Sequence, residues 1–294
     1  MTKKPTDNTP IEQLKETKQI IILTYDPKWP KNYQIEKEKL IEHLENKTIS
    51  IHHIGSTSIE GMSAKEDLDI LLIIDKLEHA LELQNFGYVF KGELNIPLRY
   101  FFSKNQGHTK VNLHVCEKDH GFINLNLTFR DWLKKNRNDM QAYIELKNSI
   151  LKSPTAGLKL AGGFSQYTHK KDKFIKEILI KSGYNGTNVN FCSHESEWRA
   201  IIQLTEHSKQ GNTNKAINFQ DFLTTAKAND HKHFILSKAC KIIGHAKVCL
   251  LPHQKAKIEY IITRDDPSEL AKKHLAAFIK KWLNFHTLIL TSQT

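Results

Sequence analysis

The sequence predicts an α+β protein: a mixed sheet flanked by helices, followed by a second, partial α/β domain. Three observations carry this expectation. Short apolar runs bounded by turn residues alternate with segments of helical period over residues 20–181. Residues 182–188, Ser-Gly-Tyr-Asn-Gly-Thr-Asn, hold the turn-forming residues of a domain boundary. Beyond them strand-like apolar segments resume, two of which carry Cys240 and Cys249. With 294 residues and 39% hydrophobic content the chain can bury a substantial core. The expected organisation is a flexible extension at 1–18, a domain at 19–183, a linker at 184–190 and a second domain at 191–294.

Taken in order, residues 1–18 are polar and read as loose chain. Residues 20–25 are a strand candidate, and 32–44 carry Ile35, Leu40, Ile41 and Leu44 at helical spacing with charges between them. A strand at 49–54 leads into the turn Gly55-Ser56-Thr57-Ser58, and Asp67-Leu68-Asp69 opens the apolar run Ile70-Leu71-Leu72-Ile73-Ile74. Residues 76–84 suit a helix punctuated by Gly87, and 99–102 and 110–116 suit antiparallel strands. From Phe129 the period turns helical, at 131–135, 140–151 and 166–181, with breakers at Pro154 and across 157–163.

The chemistry concentrates between residues 53 and 69. Residues i and i+2 of a strand share a face, so Asp67 and Asp69 can converge on one divalent cation. Gly55 lets the backbone approach a polyphosphate, to which neighbouring N–H groups and the Ser56 hydroxyl can donate. Metal and phosphate sharing one site is the arrangement that nucleotidyl transfer requires, with Mg²⁺ (or Mn²⁺) neutralising charge on the phosphorus. The same residues also read as an ordinary turn followed by a strand with a solvated acidic end. His52 and His53 are adjacent, so a strand turns at most one toward such a site. His114, flanked by Leu113 and Val115, reads either as a group facing a polar cavity or as a core histidine held by a hydrogen bond. A carboxylate near the metal could equally serve as the base.

Composition narrows the partners. A net charge of +11 favours an anionic ligand, first a nucleotide or other phosphorylated small molecule and second a nucleic acid. The cysteines, Cys116, Cys192, Cys240 and Cys249, form no CxxC pair and show no zinc-ligand spacing, and read as buried reduced thiols. No apolar run is long enough for a membrane span and the N-terminus lacks a signal-peptide core, so a cytoplasmic protein with no membrane partner is expected. Oligomeric state is left open.

A collinear set of matches sharpens this reading. Tyr25-Asp26-Pro27-Lys28-Trp29-Pro30 forms an opening strand and turn; His53 to Ser58, Gly61, Ala64-Lys65 and Asp69 follow. Downstream come Gly87-Tyr88, Arg99 before an aromatic pair, Leu113-His114-Val115, Thr128-Phe129-Arg130-Asp131-Trp132-Leu133, Tyr143 with Lys147, and Tyr167, Lys171 and Phe174. In these residues the chain resembles the GrpB family, a group with a nucleotidyltransferase-like fold. The resemblance implies a metal at Asp69 and phosphate or nucleotide contacts from His53, Gly55, Ser56, Thr57, Ser58, Lys65, Arg99, Arg130, Lys147, Tyr167 and Lys171, with His114 as a candidate catalytic group. For Lys171, set in Lys170-Lys171-Asp172-Lys173, a solvated face is the competing reading. Two departures stand out. Asp67 is an addition to the family's usual pattern and rests on spacing alone, and position 112, often a second histidine, is Asn112. No acid occupies the strand where catalytic nucleotidyltransferases commonly place a third carboxylate.

Residues 190–294 resemble a divergent GNAT acetyltransferase domain. The resemblance implies a helix at 218–226, strands at 233–239, 242–248 and 256–263, a helix at 267–283 and a strand at 287–291. A working domain of that kind holds the CoA pyrophosphate on a glycine-rich turn at a helix N-terminus. Residues 264–273 contain no glycine and three acids, so acetyl-CoA is not expected. Three functions follow: a metal-dependent nucleotidyltransferase-like enzyme with an unidentified acceptor, a noncatalytic nucleotide-binding scaffold, and, last, an acyltransferase.

Overall fold

The apolar run at 70–74 becomes the centre of a sheet, as its unbroken hydrophobicity requires: every residue in it is buried, on both faces. The computed structural model describes residues 20–107, 109–153, 155–157, 165–193, 195–208, 230–251, 255–264, 266 and 268–292. The chain forms two compact units, one of residues 1–94 and 98–186, the other of 95–97 and 187–294.

In the first unit, α1 (Lys28–Leu44) precedes β1 (Thr48–Ile54), β2 (Asp67–Ile74), β3 (Val89–Phe90), β4 (Arg99–Gln106) and β5 (Thr109–Glu117), arranged in the order β1-β2-β5-β4-β3. Only β2 and β5 pair in parallel; their register sets Asp69 opposite Asn112. Helices α2 (Gly121–Lys135), α3 (Arg137–Leu151), α4 (Gln166–His169) and α5 (Asp172–Lys181) follow. Phe122, Ile123 and Leu127 of α2 pack on Ile54, Leu71 and Cys116 of the sheet. Leu133, Tyr143 and Ile178 join α2, α3 and α5 over Ile59 and Met62, which lie just beyond the Gly-Ser turn. That packing holds the helical layer against the acidic end of β2.

The second unit has a four-stranded antiparallel sheet, β6 (Thr187–Phe191), β7 (His231–Lys238), β8 (Lys241–Leu251) and β9 (Lys255–Thr263), in sequential order. Trp198 and Ile201 of α6 (Glu195–Ser208) cluster with Ile235, and Trp282 of α7 (Leu270–Ser292) meets Phe191 and Phe234 edge-on.

Several expected elements differ. Residues 20–25 form no strand; Leu23 makes a single two-bond bridge with Ala64, whose own segment is broken into turns. The helix expected at 76–84 is a 3₁₀ run, Leu77–Phe86. Helical structure begins at Gly121, not near Phe129. Residues 123–129 alternate apolar and polar in a strand-like manner, but Ile123 and Leu127, one helical turn apart, both meet the sheet, and the His120 ring accepts from Phe122 N–H at 3.2 Å. The expected helix at 166–181 breaks at Lys170 and Lys171. The strand expected at 287–291 is instead the end of α7: residues 270–292 contain neither glycine nor proline, and a short apolar run alone does not distinguish strand from helix. The helix expected at 218–226 lies outside the described residues. Cys116 alone of the four cysteines is buried, and Cys240 sits in the β7–β8 turn at φ +65°. Among the described residues no helix is long and apolar enough to cross a membrane.

Candidate functional site

A cavity of about 170 Å³ opens where β2 begins, lined by Ser56, Thr57, Ala64, Lys65, Asp67, Asp69, Asn112, Tyr167, Thr168 and Lys171. Its floor is the strand pair β2–β5. Asp67 and Asp69 stand on one face, with the buried Leu68 turned away between them. Asn112 donates from Nδ2 to Asp69 Oδ1 at 3.0 Å, leaving its own Oδ1 buried without a partner.

The Gly-Ser turn forms one wall. Gly55 has φ +69°, where a side chain is strained, and a Cβ there would overlap the Asp69 carboxylate. Glycine is therefore required twice at this position, once for the turn and once for the acid beneath it. Residues Ser56–Ser58 make a 3₁₀ turn that Ser58 closes by donating to Gly55 O at 2.6 Å. Thr57 donates to Asp67 O at 3.2 Å and contacts His53 Nε2 at 3.0 Å, tying the turn to both flanking strands.

Cations complete the site. Lys65 Nζ pairs with Asp67 Oδ2 at 3.2 Å. Lys147, 1% exposed, sends its ammonium to Ser63 O and to Ser56 Oγ, the latter at 3.4 Å. Lys171, just ahead of α5, lies over the Tyr167 ring at 4.5 Å and lines the cavity, while its neighbours Lys170 and Lys173 are exposed. The crowding shifts the proton affinities of these groups. Burial, with Asp67 nearby, pushes the Asp69 carboxyl up to about 6 against the hydrogen bond from Asn112. Burial and the neighbouring Lys171 push Lys147 down to about 7, and burial with Lys65 brings Lys171 to about 8. All three groups thus change charge near neutrality, and an arriving anion or cation shifts them.

Ser56, Thr57, Lys65, Asp67, Asp69, Tyr167 and Lys171 therefore converge, with Gly55 and Lys147 in direct contact with the lining. Lys171 itself is half-buried and lines the cavity, apart from its exposed neighbours. Other expected residues do not line the cavity. His53 supports the turn from below: its ring stacks on Tyr33 at 4.7 Å, and burial pushes it down to about 3. Arg130 donates to His53 O at 3.0 Å and pairs with Asp131 at 2.7 Å. Arg99 and His114 form a separate cluster, 3.5 Å apart, with the guanidinium 5.5 Å from the Phe101 and Phe122 rings. Burial and this guanidinium hold His114 well below the usual histidine range, which keeps it neutral. Asn112 is the lining residue that motif reasoning set aside, as a departure from a histidine; its parallel pairing opposite Asp69 marks its place.

Fold and site together define an α+β protein in which a Gly-Ser turn, a strand-borne acid pair, Lys65 and Lys171 enclose a small polar cavity. The family model described as GrpB protein matches residues 19–181, more than half of the chain. The chain belongs to the GrpB family. It is 30% identical over 168 residues to UPF0157 protein BH1888 of Halalkalibacterium halodurans, an alignment covering 55% of this chain and 82% of that protein. The crystal structure of conserved protein GrpB from Enterococcus faecalis is similar at 26% identity and TM-score 0.48, covering 55% of this chain and 96% of that one. The structure of a GNAT family acetyltransferase from Staphylococcus aureus matches at 17% identity and TM-score 0.27, over 34% of this chain and 79% of that one.

Proposed function

We propose that the first unit is a nucleotidyltransferase-like domain whose cavity binds the phosphates of a nucleoside triphosphate together with a divalent metal, and transfers the nucleotidyl group to an acceptor. The observation that carries this reading is the convergence of the Gly-Ser turn, Asp67, Asp69 and Lys171 on one cavity. The donor set fits Mg²⁺ or Mn²⁺: two carboxylates on one strand face beside the orphaned amide oxygen of Asn112, all hard oxygen ligands. Bound there, the metal would supply charge neutralisation at the phosphates.

The chain's own groups do the remaining work. The turn presents backbone N–H groups and the Ser56 hydroxyl to phosphate oxygens, while Lys147 and Lys171 add positive charge. A carboxylate of this pair can accept the proton of an attacking hydroxyl.

A second reading, binding without turnover, is favoured by Asn112. It sets a neutral amide beside Asp69, and Lys65 already neutralises Asp67. One experiment separates the two. Incubation with labelled ATP, CTP, GTP and UTP plus Mg²⁺ yields labelled product or pyrophosphate if transfer occurs, and Asp69→Ala abolishes it. Transfer that persists in Asp69→Ala rules out the metal role, and saturable binding without transfer across a broad acceptor screen establishes the second reading.

A further inference from the structure

The second unit carries a ligand set of different chemistry. Among the described residues, one group of His, Cys and carboxylate donors is close enough to share an ion: His231, Cys249 and Glu259, whose ligand atoms lie within 4.8 Å of one another. Each comes from a different strand, β7, β8 and β9.

Sheet register accounts for the meeting. His231 and Cys249 are directly paired across β7 and β8, so their side chains share a face. Between β8 and β9 the register slips: Lys247 pairs with Tyr260 and Val248 with Ile258, leaving Glu259 as the extra residue of a bulge. Bulges re-aim side chains, and this one brings Glu259 Oε1 to 3.8 Å from His231 Nε2. The imidazole is already oriented for ligation. Its Nδ1 donates to Asp230 Oδ1 at 2.7 Å, a contact that fixes the ring and turns Nε2 toward Glu259. Lys247 pairs with Oε2 of Glu259 at 2.8 Å, while Oε1 is the oxygen turned toward His231.

We infer that His231, Cys249 and Glu259 form a binding site for a divalent transition metal of the zinc class. Zinc bonds of roughly 2.0–2.3 Å at tetrahedral angles place ligand atoms about 3.5 Å apart, so the observed spacing needs only a small contraction. A thiolate and an imidazole select zinc-class ions over Mg²⁺ and Ca²⁺, which take oxygen donors. Three protein ligands leave the fourth position to water or an exchangeable ligand.

The test uses the full chain and Co²⁺ as an optical probe. One equivalent of Co²⁺ should give the near-ultraviolet sulfur-to-cobalt charge-transfer band of a thiolate ligand, together with visible bands of tetrahedral intensity, and Zn²⁺ should bleach both. Cys249→Ser should remove the charge-transfer band. Asp69→Ala should keep it, because that acid site offers no sulfur, so the inference stands or falls independently of the proposed function. Glu259→Gln, an exposed change that preserves side-chain shape, should weaken Co²⁺ binding about tenfold or more. Absence of a charge-transfer band, its persistence in Cys249→Ser, or an unchanged affinity in Glu259→Gln would each overturn the site.

Discussion

Lys171 and Arg99 are cations of the same unit that family resemblance assigned to one site, yet they occupy different surroundings. Lys171 faces a cavity, with Tyr167 beneath it and Asp67 and Asp69 in the same lining. Arg99, 2% exposed, faces aromatic rings and a neutral histidine, and its Nε–H has no partner. Burial lowers the proton affinity of both, Arg99 to about 10. What differs is the surroundings: acids beside a hollow in one case, ring faces with Glu93 nearby and no lined cavity among the described residues in the other. Of the two, only Lys171 adjoins a void.

Breaking the cavity at Gly55 should give the largest effect. Gly55→Ala adds a side chain at positive φ and into the Asp69 carboxylate, so chemical denaturation should show a loss of about 2–4 kcal/mol. An unchanged midpoint would mean that the turn and β2 separate easily.

Asp69→Asn comes next and acts in two directions. It should abolish Mg²⁺-dependent triphosphate binding in calorimetry. In the metal-free protein it should raise stability, for the following reason. The folded carboxyl has its affinity for protons raised from 3.8 to about 6, so the folded state holds the proton longer than the unfolded state does. Wild-type stability therefore falls as pH rises from about 4 to 6 and stays reduced above, by roughly 3 kcal/mol. The amide removes that loss, and melting curves at pH 5 and 8 check the sign.

Lys171→Met should weaken triphosphate binding about tenfold, as expected for one charged hydrogen bond. Arg99→Met, tested alongside, should leave it within about twofold, because the guanidinium serves packing. Equal losses in the two variants would dissolve the distinction between the clusters.

The smallest expected effect is a pH dependence. Metal-free triphosphate binding should decline as pH rises through 7 to 8, where Lys147 and then Lys171 lose their charge. Titrations at fixed ionic strength would show it, and a flat profile would remove these lysines from phosphate contact.

How much of this was legible depended on the range of the interaction concerned. The strand-borne pair Asp67 and Asp69 followed from period two, which is local, whereas the need for glycine at 55 came from its fit over the Asp69 carboxylate, which is not. The meeting of Lys171 with those acids came from collinear resemblance; its own charge run pointed to solvent. Arg130 and His53 misled because positive charge and imidazole look alike in sequence whether they bind a ligand or brace a turn. Gly121 as a helix start was hidden by alternation over 123–129, which tertiary packing overrode. The bulge that aims Glu259 was invisible, since the slip belongs to the pairing of two strands and to neither alone.

The parallel pairing of β2 with β5 has a kinetic consequence. Asp69 and Asn112 are 43 residues apart in the chain, and parallel strands meet only after a long crossover has closed. The cavity floor therefore exists only once this non-local pairing is made. A ligand seated there would stabilise only chains in which that pairing has formed, so slower unfolding with an unchanged folding rate would place the pairing after the folding barrier, and faster folding would place it before.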